Sequence, residues 1–237
     1  MSLPSDILVV IPARRGSKGI PGKNWKPLGG RPLIQHSIEH ALGVTSPAHI
    51  CVTTDAPEVL EIAATLGVAP GFVRPAELST DESDSRSAIL HALDAWERKT
   101  GNRYRTILVL QPTSPFRSPA DILGAHAMYD EQLEMVVSAV ETADNPYYSV
   151  FLADERGMLR KAIPSAYTRR QDCPRALVLN GAIYFIGVEA IRARPVAEFE
   201  RIRCFEMSPE HHVDLDTPLD WAWAEFLIER GLVLSGV

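Results

Sequence analysis

The sequence predicts an α/β protein built on a doubly wound, mostly parallel sheet, with a small arm inserted late in the chain. Three features point that way. Continuously apolar, β-branched runs alternate with stretches whose apolar residues recur at helical spacing, from Ile7 to Tyr129. The polar, reactive-looking segments follow the apolar runs, as they do where ligands sit at the carboxyl ends of parallel strands. Between residues 141 and 179 the alternation stops, and prolines and polar residues take over.

Taken in order, residues 7–13 are continuously apolar, which suits a strand buried on both faces. After a loop reaching Gly30, Pro32 suits a first helical position, with Leu33, Ile34, Ile38, Ala41 and Leu42 sharing a face. Residues 50–54 form a second strand. Asp55 and Pro57 open a helix whose inner face is Val59, Ile62, Ala63 and Leu66. Phe72 and Val73 read as a short strand, 88–96 as a helix and 106–110 as a central strand. Ser118 caps a helix running to Tyr129, with Pro119 at its first position, and 135–140 is another strand. This order implies a parallel sheet with right-handed crossovers and helices on both faces. The stretch 141–179 holds Pro146, Tyr147, Tyr148, Pro164 and Pro174 and reads as a hairpin-like arm. Strands resume at 182–186 and 202–207, and residues 218–230 close the chain as a helix.

The 237 residues suffice for one substantial core, so residues 1–237 read as a single domain. Apolar and charged fractions of 46% and 23% belong to a globular protein, not a disordered or fibrous one. No apolar run approaches the ~20 residues of a membrane helix. Residues 7–11 follow Met1 with no basic stretch before them, which predicts a buried strand and not a signal peptide. Cys51, Cys173 and Cys204 are scattered without a CxxC, as in a reduced, cytoplasmic protein. A net charge of −6 argues against wholesale nucleic-acid binding. Yet residues 7–38 contain no Asp or Glu, where composition predicts about four. The same window holds Arg14, Arg15, Lys18, Lys23, Lys26 and Arg31, a local field suited to a small polyanion such as a nucleotide.

The first chemical segment is IPARRGSKGIPGKN, residues 11–24, directly after the first strand. Its glycines let backbone N–H groups approach phosphate, and Arg14, Lys18 and Lys23 can neutralise a triphosphate. It is neither GxGxxG nor a P-loop, because five residues separate Gly16 from Gly22 and Asn24 follows Lys23. A solvated basic loop is the plainer alternative. The segment LQPTSPFR, residues 110–117, ends the central strand, and its Gln111 amide can bind a sugar or ribose hydroxyl. Arg74, with the loop 79–87, reads as a polar connection in which Asp84 or Ser85 caps the next helix. Tyr167-Thr168-Arg169-Arg170 leads on to Asn180-Gly181-Ala182-Ile183-Tyr184, and a bidentate Arg is the best partner for a carboxylate. Finally, Asp214 and Asp216 in HHVDLDTP are spaced so that, on a short strand, both face one side and together can hold a hard cation. Asp216 or Thr217 can instead cap the last helix, and both roles hold if Thr217 caps.

The run at 11–24 resembles the signature loop of the acylneuraminate cytidylyltransferases, the family of CMP-sialic acid synthetases and relatives acting on pseudaminic or legionaminic acid. More distantly it is similar to the CMP-Kdo synthetases. The segments around Arg74, Gln111, Arg170 to Tyr184 and Asp214 to Thr217 match the same family. The resemblance implies a nucleotide-diphospho-sugar transferase-like fold in which residues 141–179 form a dimerisation arm. It implies a CTP site made of Ala13, Arg14, Lys18, Lys23, Asn24, Arg74 and Ser85, and a sugar site made of Gln111, Arg170 and Asn180. It further implies Mg²⁺ on Asp214 and Asp216, with Arg14, Lys23 and Asp216 as catalytic residues. The partners expected are CTP, an acidic nine-carbon sugar and a second copy of the chain, with no nucleic acid and no membrane. Val178 and Tyr148 stand where some sialic acid enzymes carry Arg and Lys, both on the sugar side. The same chemistry on Kdo, or a non-catalytic nucleotide- or sugar-binding relative, are the rival readings.

Overall fold

The computed structural model describes residues 2–69, 71–80 and 82–233. Its first strand, β1 (Ile7–Pro12), is followed by the minimal antiparallel pair β2 (Pro27–Leu28) and β3 (Arg31–Pro32). Helix α1 (Leu33–Leu42), β4 (Ile50–Thr53), α2 (Pro57–Thr65) and α3 (Ser85–Thr100) come next. Then come β5 (Thr106–Val109), α4 (Pro119–Ala127) and β6 (Met135–Glu141). The arm carries β7 (Phe151–Ala153) and β8 (Leu159–Lys161), a hairpin apart from the main sheet. The chain returns through β9 (Leu177–Gly187), α5 (Val188–Ala193), β10 (Ile202–Glu206) and α6 (Pro218–Glu229).

Six strands make one sheet in the order β10-β6-β9-β5-β1-β4. β1 runs parallel to β4 and β5, and β6 parallel to β10. β9 is antiparallel to both its neighbours, a reversal that the βαβ rhythm does not announce. The cause is connectivity. β6 ends where the arm begins, and the chain re-enters the sheet from that same end, so the returning strand must run backwards.

The sheet is covered on both faces because alternate side chains of β1 enter different cores. Ile7, Val9 and Ile11 pack with Ile34 and Ile38 of α1, Val59 of α2 and Ile122 of α4. Leu8 and Val10 pack with Ile89, Leu93 and Trp96 of α3 and Ile191 of α5. A third, smaller core gathers Ile20, Leu28, Leu33, Phe116, Val213, Leu215 and the inner face of α6. Its members come from three of the segments singled out for chemistry. No helix of the described residues is long and apolar enough to cross a membrane.

Some local expectations change. Phe72 and Val73 are not a strand, because Arg74 turns in to donate its N–H to Thr54 O at 2.8 Å and leaves Val73 exposed. Pro32 belongs to β3 and precedes the helix, since its backbone is paired with Pro27. Ser118 caps as expected, and of the alternatives Asp216 and Thr217 it is Thr217 that caps, each cap forming a reciprocal box with an Asp three residues on.

Candidate active site

The loop after β1, the turn after β5, the start of α3 and the segment before α6 converge on a cavity of about 560 Å³ at the carboxyl end of the sheet. Arg14, Gly16, Lys18, Gly19, Lys23 and Asn24 supply its basic wall. Ala13 is buried beneath them and donates its N–H to Thr53 O at 3.0 Å. The loop is pinned at several points. Arg15 N–H donates to Asp55 Oδ1 at 2.6 Å, and the Asn24 amide donates to Arg14 O at 2.9 Å. Gly22 takes a left-handed φ of 66° with the Trp25 ring packed over it, a position only glycine fills without strain.

The acid segment faces this wall. Residues 212–216 form no strand, contrary to the short strand expected, and Asp216 N–H donates to Asp214 O at 3.0 Å in a tight turn at Leu215. The alternation survives all the same: Val213 and Leu215 are buried in the third core while Asp214 and Asp216 are exposed. Leu215 N–H donates to Thr113 O at 2.9 Å, and Asp216 N–H to Asp220 Oδ2 at 3.1 Å, so both neighbouring segments hold it. The loop and this segment touch through backbone. A Cβ on Gly19 would stand 1.9 Å from the Asp216 carbonyl oxygen. Lys23 Nζ donates to Asp216 Oδ1 at 2.9 Å and to Leu215 O at 2.5 Å.

Asp216 lines the cavity, whereas Asp214 stands just outside the lining. Although Asp214 as a residue is exposed, the protein around its carboxyl partly desolvates it and raises its pKa; a hydrogen bond with Thr113 opposes the rise, and the Asp216 charge adds to it. Two carboxylates in mutual repulsion are the donor chemistry that a hard cation relieves, and Mg²⁺ needs only one or two of them beside substrate oxygens and water. Among the described residues no cluster of three His, Cys, Asp or Glu side chains forms a metal cage.

The remaining wall comes from Arg74, Ser85 and Gln111. Arg74 is buried and reaches back to the end of β4, donating to Thr53 Oγ1 at 3.1 Å and to Thr53 O. Burial lowers its pKa from the ordinary arginine value, with the charge of Asp55 opposing. Ser85 is the first residue of α3, and Asp84 is the cap, accepting Ser87 N–H at 2.7 Å. Gln111 Oε1 lies where Gly181 leaves room; a Cβ there would stand 2.8 Å from it.

Arg117, assigned no role from sequence, is buried beneath this turn with no carboxylate partner among the described residues. It donates to Gln111 O at 3.0 Å, Ser114 O at 2.6 Å and Ser37 Oγ at 2.5 Å, tying the turn to α1. The motif's closing arginine was its only sequence signal.

Two expected sugar-site residues lie outside the lining. Asn180 is buried, accepts from Ser138 Oγ at 2.6 Å and from Ala182 N–H at 3.2 Å, and donates to Met207 Sδ at 3.3 Å. It manages the register shift between Val137 and Ala139, where Gly181 takes a φ of 74°. Arg170 stands exposed in a single 3₁₀ turn of the arm.

A family model described as cytidylyltransferase matches residues 8–214, which include the basic loop, the Gln111 turn and Asp214. The chain belongs to this family. Among similar cytidylyltransferases and related synthases, the CMP-N,N'-diacetyllegionaminic acid synthase of Legionella pneumophila is 31% identical over 94% of this chain and 96% of its own. The N-acylneuraminate cytidylyltransferase of Streptococcus agalactiae serotype V is also 31% identical, over 90% of this chain but 51% of its own length. Among solved structures, a CMP:2-keto-3-deoxy-manno-octonic acid synthetase complexed with CTP covers 96% of this chain with a TM-score of 0.68 and 22% identity. That neighbour shows the cytidylyltransferase to share its nucleotidyltransferase fold.

Proposed function

We propose that this cytidylyltransferase transfers CMP from CTP to the anomeric hydroxyl of an acidic nonulosonic sugar and releases pyrophosphate. The observation that carries the reading is the meeting of a basic loop and an acid pair on one cavity, with Lys23 and Asp216 in direct contact. The sugar class is supported by relatives named for legionaminic and N-acylneuraminic acids at 31% identity. The Kdo alternative has only a shared fold behind it, at 22% identity.

In this reaction the hydroxyl attacks the α-phosphorus in line as the bond to pyrophosphate breaks, so positioning and charge neutralisation dominate. Arg14, Lys18 and Lys23 neutralise the polyphosphate, with Arg14 and Lys23 at the departing end. Asn24 fixes the loop through the Arg14 carbonyl, while Arg74 and Ser85 bound the nucleoside side. Gln111 takes a sugar hydroxyl. Asp214 and Asp216 would hold Mg²⁺, which when bound supplies charge neutralisation at phosphate oxygens and acidifies a hydroxyl. Arg170 would pair with the sugar carboxylate, and its place on the arm outside the lining suits delivery from a second copy. The arm's exposed Phe151, Leu152, Met158 and Leu159 support a homodimer formed there. The scattered spacing of Cys51, Cys173 and Cys204, with no CxxC among them, supports a cytoplasmic enzyme.

The test is pyrophosphate release from CTP across N-acetylneuraminic, legionaminic and pseudaminic acids and Kdo. Release with at least one nine-carbon acid and not with Kdo is expected. Release with Kdo alone, or with no acidic sugar, would overturn the substrate class.

A further inference from the structure

Two side chains assigned to different ligands are bonded to each other. Under the cytidylyltransferase reading, on which this inference rests, Lys23 serves the polyphosphate and Asp216 the divalent cation. In the structure Lys23 Nζ instead lies 2.9 Å from Asp216 Oδ1 and donates to Leu215 O as well. The two ends of the pair are unlike: the lysine side chain is 9% exposed and the aspartate side chain 71%. The ammonium therefore sits beneath a carboxylate that stands open to solvent.

Neither backbone is free to separate them. Lys23 N–H donates to Ile20 O at 3.2 Å, and Trp25 closes the turn against Gly22. Asp216 is held by Asp220 and by the close approach of Gly19. The bond opens by side-chain rotation, of the flexible lysine stem or of the exposed aspartate.

We propose that Lys23 is the resident cation of the acid pair, and that nucleotide and divalent cation are linked ligands because each needs this one bond released. A triphosphate draws the ammonium toward itself and uncovers Asp216. A divalent cation arriving alone must displace the ammonium first, and so binds weakly. Such coupling is reciprocal, and couplings of this kind typically amount to about 5–150-fold in affinity. The cation is thereby admitted with CTP or after it.

The experiment is a Mn²⁺ titration of the nucleotide-free, full-length protein, followed by the paramagnetic resonance signal of free Mn²⁺. Lys23→Met and Lys23→Gln should each bind Mn²⁺ about 5–20-fold more tightly than the parent. Lys23→Gln keeps a donor toward Leu215 O and carries the test should Lys23→Met fail to fold. Lys26→Met removes the same charge from a lysine that lies over the Trp221 ring instead, and should change Mn²⁺ affinity by no more than about twofold. Equal affinity in the parent and both Lys23 variants overturns the proposal, as does equal tightening by Lys26→Met. Adding Asp216→Asn separates this from the parent reading. If it abolishes binding while the Lys23 variants change nothing, the metal role of Asp216 stands and only the linkage fails. If it changes nothing in any protein, the metal role itself is gone.

Discussion

Gly19→Ala tests whether the basic loop and the acid segment must touch. An added methyl carbon would stand 1.9 Å from the Asp216 carbonyl oxygen and 3.1 Å from its carbon. The obstacle is backbone and cannot rotate aside. Ordinary carbon–oxygen contact needs about 3.3 Å, so loop and segment must part by about 1.4 Å. Misplacement of about 1 Å between reacting groups costs on the order of 100-fold, or about 2.7 kcal/mol of transition-state stabilisation. Because the loop lies on the surface, the melting temperature should move little. At Gly16 an added methyl meets nothing within 4 Å, so Gly16→Ala is the comparison; any effect there should fall on the KM for CTP. The assay is pyrophosphate release with the preferred sugar at saturation and CTP varied. A Gly19→Ala protein whose kcat/KM stays within about threefold of the parent would refute the argued contact.

Three further outcomes follow from the geometry. Partial desolvation holds the Asp214 pKa above its ordinary value, so the folded state binds that proton more tightly than the unfolded state. Its charge therefore costs nothing below the unfolded pKa, a growing amount as pH rises from there, and the full amount above the folded pKa. Asp214→Asn should raise the melting temperature at neutral pH, not in strong acid, while turnover falls; a lowered melting temperature at neutral pH would contradict this. Arg117→Ala strips the donor from Ser114 O and the closer of two donors from Gln111 O, so urea unfolding should show a loss of about 2–4 kcal/mol, against little change if the guanidinium were idle. Arg170→Lys keeps the charge but loses the fork, and should raise the KM for sugar by the equivalent of about 1.5–3 kcal/mol with CTP unaffected; equal weakening of both substrates would place Arg170 at the phosphates or in the scaffold.

Local signals in the sequence placed most of the elements. The apolar run of β1, the capping residues Ser118 and Thr217, and the acid-free loop are each decided by a few neighbouring residues, and the structure has them where they read. The reversal of β9 is hidden because period-two patterning carries no direction; the register reveals it, with Val137 facing Tyr184 and Val140 facing Val178. Arg117 escaped notice because a charged residue in a proline-rich turn reads as solvated, whereas here three oxygens of the fold stand in for water. Asn180 reads from sequence as a ligand group, and the structure shows three partners that the sequence does not announce, on β6, on β9 and just after β10. The contact between Lys23 and Asp216 joins positions nearly a full chain apart, and no spacing rule reaches that far.

The arm closes a loop between strands that are already zipped together at its root. Thr142 N–H donates to Ala176 O at 3.0 Å, and Glu141 faces Leu177 across the ladder. Beyond that rung and the Asn145 amide, which donates to Pro174 O at 2.8 Å, the arm can change length, since doubling a closed loop costs only about 0.6 kcal/mol. The enzyme is thus modular: a nucleotide-handling chassis written in the sheet and its basic loop, and an exchangeable cassette carrying Arg170 and the exposed apolar residues. Chimeras spliced at Thr142 and Ala176 should keep the chassis intact while trading the cassette; under the roles proposed for Arg170 and the arm, choice of sugar and of oligomeric partner would then diversify without disturbing the activating chemistry.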